Sequence, residues 1–274
     1  MNIYRGCSHG CIYCDSRSRC YQMNHAFEDI EVKKDAPRIL EAQLKSRRKK
    51  CMVSTGAMTD PYIPLEMELQ YTRRCIEAVE RNGFGLVVLT KSDRILRDLD
   101  LLKKINEKTK CVVQMTLTTY DETLCKILEP DVCTTPERLR VLRILRDNGI
   151  PTVVWICPIL PFINDTPENI EGLSDCCAEA GVKGILSFGM GMTLREGSRE
   201  YFYAALDRQF PGLREKYRQV YGQAYQLPSP HSAHLAALLR EKCRSYGMMY
   251  GQKRIFEYLN TFEEKSAFEQ LELF

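Results

Sequence analysis

An α/β fold, with helices covering a largely parallel sheet, follows from two features of the sequence. Five apolar, β-branched runs lie between residues 51 and 190, and a helix-like segment follows each of the first four. In order, CMVSTG (51–56) precedes an amphipathic stretch over 66–81, and GLVVLTK (85–91) precedes a helix-like 94–105. CVVQMTLTT (111–119) precedes a longer region with a helix near 136–147, PTVVWICPIL (151–160) precedes 167–180, and KGILSFGM (183–190) closes the series. Turns such as Asn82-Gly83 and Asn148-Gly149 give the rhythm of right-handed βαβ units. A sixth strand should precede Cys7, but Met1–Arg5 leaves it barely five residues, so that strand looks clipped. Either the chain starts upstream of Met1 or the numbering begins inside the first element. Beyond Gly191 the chain turns helical and charged, with aromatics at Tyr201, Phe202, Tyr203, Tyr217, Tyr221 and Tyr225. The expected organisation is a β/α unit over 1–190, a helical extension over 191–262 and a flexible tail over 263–274, with no internal repeat.

The totals narrow the class. The chain has 274 residues, 44% of them hydrophobic, and a net charge of +3 from 39 basic and 36 acidic residues. It can bury an ordinary core, and its charge neither demands nor excludes nucleic acid. The basic clusters Arg47-Arg48-Lys49-Lys50, Arg73-Arg74 and Arg138 to Arg146 read as solvated helix faces. No apolar run approaches a membrane span and no signal peptide opens the chain, so a cytoplasmic protein away from membranes is expected. Thirteen cysteines in a chain of this length without an export signal point to reduced thiols and one metal site, not a disulfide scaffold.

The metal site is RGCSHGCIYCD (5–15), where Cys7, Cys11 and Cys14 stand at C-x3-C-x2-C. Thiolates so spaced in one tight loop converge on one metal centre, and Gly6 and Gly10 permit close backbone approach. Three arrangements suit the residues: a zinc site completed by Cys20 or His9, a set of buried thiols, or a [4Fe–4S] cube with one iron left open to a small molecule.

With an aromatic before its last cysteine, this motif resembles that of the radical S-adenosylmethionine (SAM) superfamily. TGAMTDPYIPLE (55–66), LTKSDRILRDLDLL (89–102), TLTTYDETLCKILEP (116–130) and CPILPFINDT (157–166) are similar to the branch related to spore photoproduct lyase. The resemblance implies a partial (β/α)6 TIM-type barrel and a cluster held by Cys7, Cys11 and Cys14. It implies SAM chelated to the open iron and reductive cleavage to a 5′-deoxyadenosyl radical that abstracts hydrogen from substrate. Tyr13 resembles the aromatic at the adenine end of SAM. Thr55, Gly56, Thr59 and Asp60 follow the second strand of the barrel, and Lys91 and Thr116 resemble anchors of the SAM carboxylate and ribose. Independently of the resemblance, a lysine ending an apolar strand needs an anionic partner.

The resemblance also implies a nucleic-acid or nucleotide substrate and an electron donor such as flavodoxin or ferredoxin. RNA, peptide or small-molecule modification is the alternative within the superfamily. A DNA-associated protein with a purely structural metal is the alternative outside it. Two departures argue against repair of spore photoproduct itself: Asp15 stands where the lyase has tyrosine, and Ala57 stands where it has its hydrogen-donating cysteine. Cys51 lies at the wrong end of that strand to substitute, and Cys20 is six residues past Cys14. The adjacent pair Cys176-Cys177 points two thiols in different directions from a helix, against an auxiliary cluster. Finally, Gln270, Leu271, Leu273 and Phe274 in the terminal QLELF resemble the peptide by which bacterial repair and replication proteins bind the sliding clamp.

Overall fold

The computed structural model describes residues 1–265, so the clamp-like peptide at Gln270–Phe274 lies outside the described residues. The chain opens with β1 (Tyr4–Arg5), passes through the cysteine loop and returns as β2 (Glu31–Val32), antiparallel to β1. Then come α1 (Ala36–Ser46), β3 (Met52–Ser54), α2 (Glu66–Leu69), α3 (Tyr71–Arg81), β4 (Gly85–Thr90), α4 (Leu99–Lys108) and β5 (Cys111–Thr116). After them lie α5 (Glu122–Leu128), α6 (Thr135–Asp147), β6 (Thr152–Trp155), α7 (Pro167–Glu179), β7 (Gly184–Leu186) and β8 (Gly191–Thr193). The remainder is α8 (Ser198–Gln209), α9 (Leu213–Tyr221), β9 (Gln226–Pro228), α10 (Ser232–Ser245), β10 (Met249–Tyr250) and α11 (Gln252–Asn260).

The main sheet has the order β10-β7-β6-β5-β4-β3 and every pairing in it is parallel, giving a partial (β/α)6 barrel. Its five expected strands occupy the five apolar runs. The leading strand is short, as expected, but it pairs with β2, and the sheet's sixth place is taken by β10 near the other end of the chain. Residues 1–5 still run beside β3, where the Gly56 amide donates to the Met1 carbonyl at 2.9 Å.

The expected helix over 66–81 is two helices. Fully buried Glu66 accepts hydrogen bonds from the amides of Thr72 and Arg73, at 2.9 and 3.2 Å, and those donors belong to the first turn of α3. Gln70 turns left-handed (φ 52°) to let the chain fold back onto that carboxylate. Other helix starts follow local chemistry: Asp121 caps α5 by accepting from the Leu124 amide at 2.9 Å, and Thr134 with Glu137 forms a capping box at α6.

Strand alternation sorts the apolar residues into two layers. Leu86, Val88, Val113, Met115, Val154 and Ile185 face outward into the core beneath the surrounding helices. Val87, Val112, Val153 and Leu186 face inward, where Ile255 and Leu259 of α11 close the lower end of the barrel. The aromatics of α8 and α9, including Phe202 and Tyr217, form a separate core against Cys11, Ile12 and Tyr13 of the cysteine loop. All thirteen cysteines lie among the described residues and none forms a disulfide. Among the described residues no helix is long and apolar enough to cross a membrane.

If α11 is the plug of the barrel, Leu259→Ala should cost about 2–5 kcal/mol. A lower urea midpoint at unchanged slope would confirm it, and an unmoved midpoint would remove α11 from the core.

Candidate active site

The cysteine loop has little ladder of its own and is shaped by two glycines and a few long-range bonds. Gly6 (φ 88°) and Gly10 (φ 67°) are left-handed, and a Cβ on either would lie within 2.5 Å of Phe27 O or Asp131 Oδ2. The Cys7 amide donates to Phe27 O and the Ile12 amide to Leu128 O, both at 3.0 Å, and the Thr59 hydroxyl donates to Gly6 O. The result brings Cys7, Cys11 and Cys14 to the wall of one cavity of about 90 Å³, shared with His9, Ala57, Thr59, Asp60, Lys91 and Thr116.

A second cavity of about 600 Å³ shares Tyr13, Cys14, Ala57, Lys91 and Thr116 with the first. Its position follows from the inward layers. Above the plug of Val87, Val112 and Val153 come Leu89, Gln114 and Trp155, and above them Lys91, Thr116 and Cys157 at the strand ends. Trp155 is fixed in that layer by Nε1 donating to Gln114 Oε1 at 2.7 Å, and Phe188 meets it edge-on at 5.2 Å between centroids. Met190, Met192 and Leu227 add apolar groups to the lining, and Asp15, Ser16, Thr193, Gln226 and Ser232 add polar ones.

Lys91 is half-buried at the junction of the two cavities, and among the described residues its Nζ makes no hydrogen bond or ion pair to the protein. Burial opposes its charge, yet Cys11 and Glu129 outweigh that and hold its pKa above the ordinary lysine value. The same burial acts on the thiols, pushing Cys7 up to about 11 and Cys11 higher still. Thr116 presents its side chain to both cavities.

The other expected residues divide differently. Asp60 is committed: it accepts from Thr90 Oγ1 at 2.7 Å, the Tyr62 amide at 2.8 Å and the Lys91 amide at 2.7 Å. It therefore fixes the end of β4 and the position of Lys91. Thr55 accepts from the Leu89 amide at 2.9 Å, and Gly56 abuts Asn2, where a Cβ would stand 1.6 Å from Oδ1. Both lie against the N-terminal segment, away from the larger cavity. Tyr13 lines both cavities, but its hydroxyl turns away and donates to the Glu129 carboxylate.

Glu129 and Arg138 escaped the sequence reading. The run from Arg138 was expected to be solvated, yet Arg138 and Glu129 are both 0% exposed and joined at 2.6 Å. The signal was present: Arg138 precedes Val141, Leu142 and Leu145 on one helical stripe. Arg73 is likewise paired, with Asp98 and Asp100, whereas Arg47–Lys50 is exposed as expected. Burial also keeps the Glu129 carboxyl from its charged form, but Arg138 and Lys91 prevail and hold it below its ordinary range.

The candidate fourth ligands also separate. Cys20 is exposed and its sulfur accepts from Arg195 Nη1 at 3.2 Å, outside the cavity. His9 lines the cavity with Nδ1 3.6 Å from Asp60 Oδ2, and its buried Nε2 has no partner. Among the described residues no three His, Cys, Asp or Glu side chains close on a single ion. A lone tetrahedral zinc draws its sulfurs to about 3.8 Å apart, whereas a cube takes each thiolate at a different corner. Cys7, Cys11 and Cys14 all line the one small cavity, a donor set that suits a cube with one thiolate on each of three irons.

Residues 1–177 match the Radical SAM superfamily. Over 254 residues the chain is 30% identical to an uncharacterized protein of Mycobacterium tuberculosis, covering 88% of this chain and 71% of the relative. A second uncharacterized relative, from Methanocaldococcus jannaschii, is 31% identical over 174 residues, which is 63% of this chain and 64% of the relative. Among solved structures, spore photoproduct lyase with bound AdoMet and a dinucleoside spore photoproduct superposes with a TM-score of 0.65 at 14% identity, covering 89% of this chain and 73% of the lyase. The radical SAM methyltransferase TsrM of Kitasatospora setae gives 0.58 at 15% identity, over 88% and 51% of the two chains. At such identities the two structural likenesses concern the fold. The sequence match covers every residue that lines the smaller cavity, and by it this chain belongs to the radical SAM superfamily of enzymes.

Proposed function

We propose that this chain is a bacterial, cytoplasmic enzyme that holds a [4Fe–4S] cluster on Cys7, Cys11 and Cys14 and uses it with SAM to abstract hydrogen from a nucleic-acid base. The observation that carries the reading is the convergence of three thiols on one small cavity that opens, past an unpaired ammonium, into a larger one. Cluster and SAM supply one-electron reductive cleavage of the sulfonium and hydrogen abstraction. A flavodoxin or ferredoxin is the proposed source of the electron.

The chain's own contribution is placement. Lys91 offers its ammonium to the SAM carboxylate, and Asp60 fixes the backbone from which that ammonium extends. Thr116 offers a free hydroxyl beside it, and Tyr13 contributes its ring and backbone, its hydroxyl being taken by Glu129. Thr59 holds the loop through Gly6, while Thr55 and Gly56 hold the segment leading into it.

The rest of the larger cavity suits a neutral, planar group. Trp155 and Phe188 offer aromatic rings, Ser16, Thr193, Gln226 and Ser232 offer uncharged hydrogen-bonding groups, and the carboxylate in the lining is that of Asp15. Stacking of a base on an aromatic side chain contributes about 1–3 kcal/mol without needing a charge. The fold shared with a lyase solved with a dinucleoside photoproduct is in keeping with such a substrate. Ala57 faces both cavities, at the position where the resemblance expects a hydrogen-donating cysteine, so the reaction proposed is not repair of spore photoproduct.

Electron paramagnetic resonance on anaerobically reconstituted, reduced protein tests the centre. A [4Fe–4S]+ signal that shifts on adding SAM is expected. Alanine at Cys7, Cys11 or Cys14 should abolish it, and Lys91→Ala should weaken SAM binding about ten- to a hundredfold at unchanged iron content. A signal indifferent to SAM, or bound zinc, would make the metal structural.

We also propose that the terminal Gln270, Leu271, Leu273 and Phe274 bind the bacterial sliding clamp, bringing the enzyme to DNA. Deleting residues 270–274 should abolish capture on immobilised clamp; equal recovery without them would end that proposal.

A further inference from the structure

The cluster reading leaves one costly feature without a role. Glu129 caps the end of α5 and Arg138 lies in the first turns of α6, and both side chains are fully buried. A buried ion pair seldom stabilises a fold more than apolar residues of the same shape would. This one is less favourable than most, because Arg138 Nε and Nη2 are buried with no hydrogen-bond partner. Packing alone gives no reason for it.

Its contacts do. One Glu129 oxygen accepts the Tyr13 hydroxyl and the other accepts Arg138 Nη1 at 2.6 Å. Arg138 Nη1 also donates to the Thr116 carbonyl at 3.0 Å. The Leu128 carbonyl, one residue before Glu129, accepts the Ile12 amide. The two residues between Cys11 and Cys14 are therefore both gripped by the end of α5. The same grip continues through Arg138 to the strand end that lines both cavities.

We propose that Glu129 and Arg138 form a positioning pair that also sets how readily the cluster is reduced, an inference that rests on the cluster reading above. Glu129 holds the loop in place, and Arg138 offsets the negative charge this brings close to the thiolates. A cube with three thiolates gains negative charge on reduction, so a nearby carboxylate opposes the electron and a nearby guanidinium favours it. Lys91, His9 and Asp60 face the same cavity and are common to every variant below.

The test uses the full reconstituted chain, with iron and sulfide counted and the reduced fraction measured by electron paramagnetic resonance at one applied potential. Glu129→Gln keeps an acceptor for Tyr13 and leaves Arg138 uncompensated. The ratio of reduced to oxidised cluster should rise about tenfold or more. The double variant Glu129→Gln/Arg138→Met removes both charges and should return to within about threefold of the unmodified chain. A purely structural pair would show no such return. A full cluster with an unmoved ratio in Glu129→Gln, or a double variant displaced as far as the single, overturns the inference. If Glu129→Gln alone loses iron, the double variant decides by the same threefold criterion. An unmodified chain that takes up no iron and sulfide overturns the cluster reading, and this inference with it.

Discussion

The segment that carries all three candidate ligands has a strand of only two residues, so something other than a β-ladder must hold it. Three buried carboxylates do so at near-regular intervals. Glu66 accepts the Tyr4 hydroxyl, Asp60 lies 3.6 Å from His9 Nδ1, and Glu129 accepts the Tyr13 hydroxyl. Each is itself immobilised: Glu66 by two α3 amides and Arg97, Asp60 by Thr90 and two amides, Glu129 by Arg138. The hydrogen bonds to Glu66 and Glu129 contribute about 1.5–3 kcal/mol each, comparable to a few rungs of ladder, while Asp60 and His9 at 3.6 Å are in contact only. They also act as points, not as a continuous edge, which leaves the intervening backbone free to wrap around a cavity.

The depth of that cavity is a consequence of strand alternation. Every second residue of β4, β5 and β6 points inward, so the barrel fills from the bottom in layers: valines against α11, then Leu89, Gln114 and Trp155, then Lys91, Thr116 and Cys157. The sequence of polarity along each strand is therefore a sequence of heights. Above the valines, charge first appears at Lys91 under the cysteine loop; below them Lys110 donates to Tyr258 O at 2.9 Å, and Ile255 and Leu259 from the far end of the chain close the bottom.

Much of this was legible. The strands β4 to β7 are apolar runs bounded by turns, and the cysteine spacing marked the loop that lines the smaller cavity. Lys91 and Thr116 could be placed because a strand end in a β/α barrel faces its mouth. What escaped depended on long-range pairing. The two residues of β10 are strand only because the edge of β7 offers them hydrogen bonds. A helix over 66–81 is what periodicity predicts, and its break at Gln70 belongs to a carboxylate drawn inward by Tyr4 and Arg97. Thr55 and Gly56 sit at a strand end as expected, yet residues 1–4 occupy the space beside them. Arg138 looked solvated because its neighbours Arg140, Arg143 and Arg146 are; only the helical stripe separates it from them.

The distribution of charge along the joined cavities constrains what can share them. At the narrow end stand three thiols, Lys91 and the committed carboxylate of Asp60. The larger cavity adds aromatic rings, thioethers, neutral hydroxyl and amide groups and the Asp15 carboxylate, and Phe188 is 52% exposed into that space. A phosphate brought into the wide end would lose its hydration without meeting a cation there, a severe penalty in a partly enclosed site. A base, by contrast, gives up little by stacking on Trp155, whose ring is held in one orientation by Gln114. Of the parts of a nucleic acid, such a lining suits a base better than a phosphate.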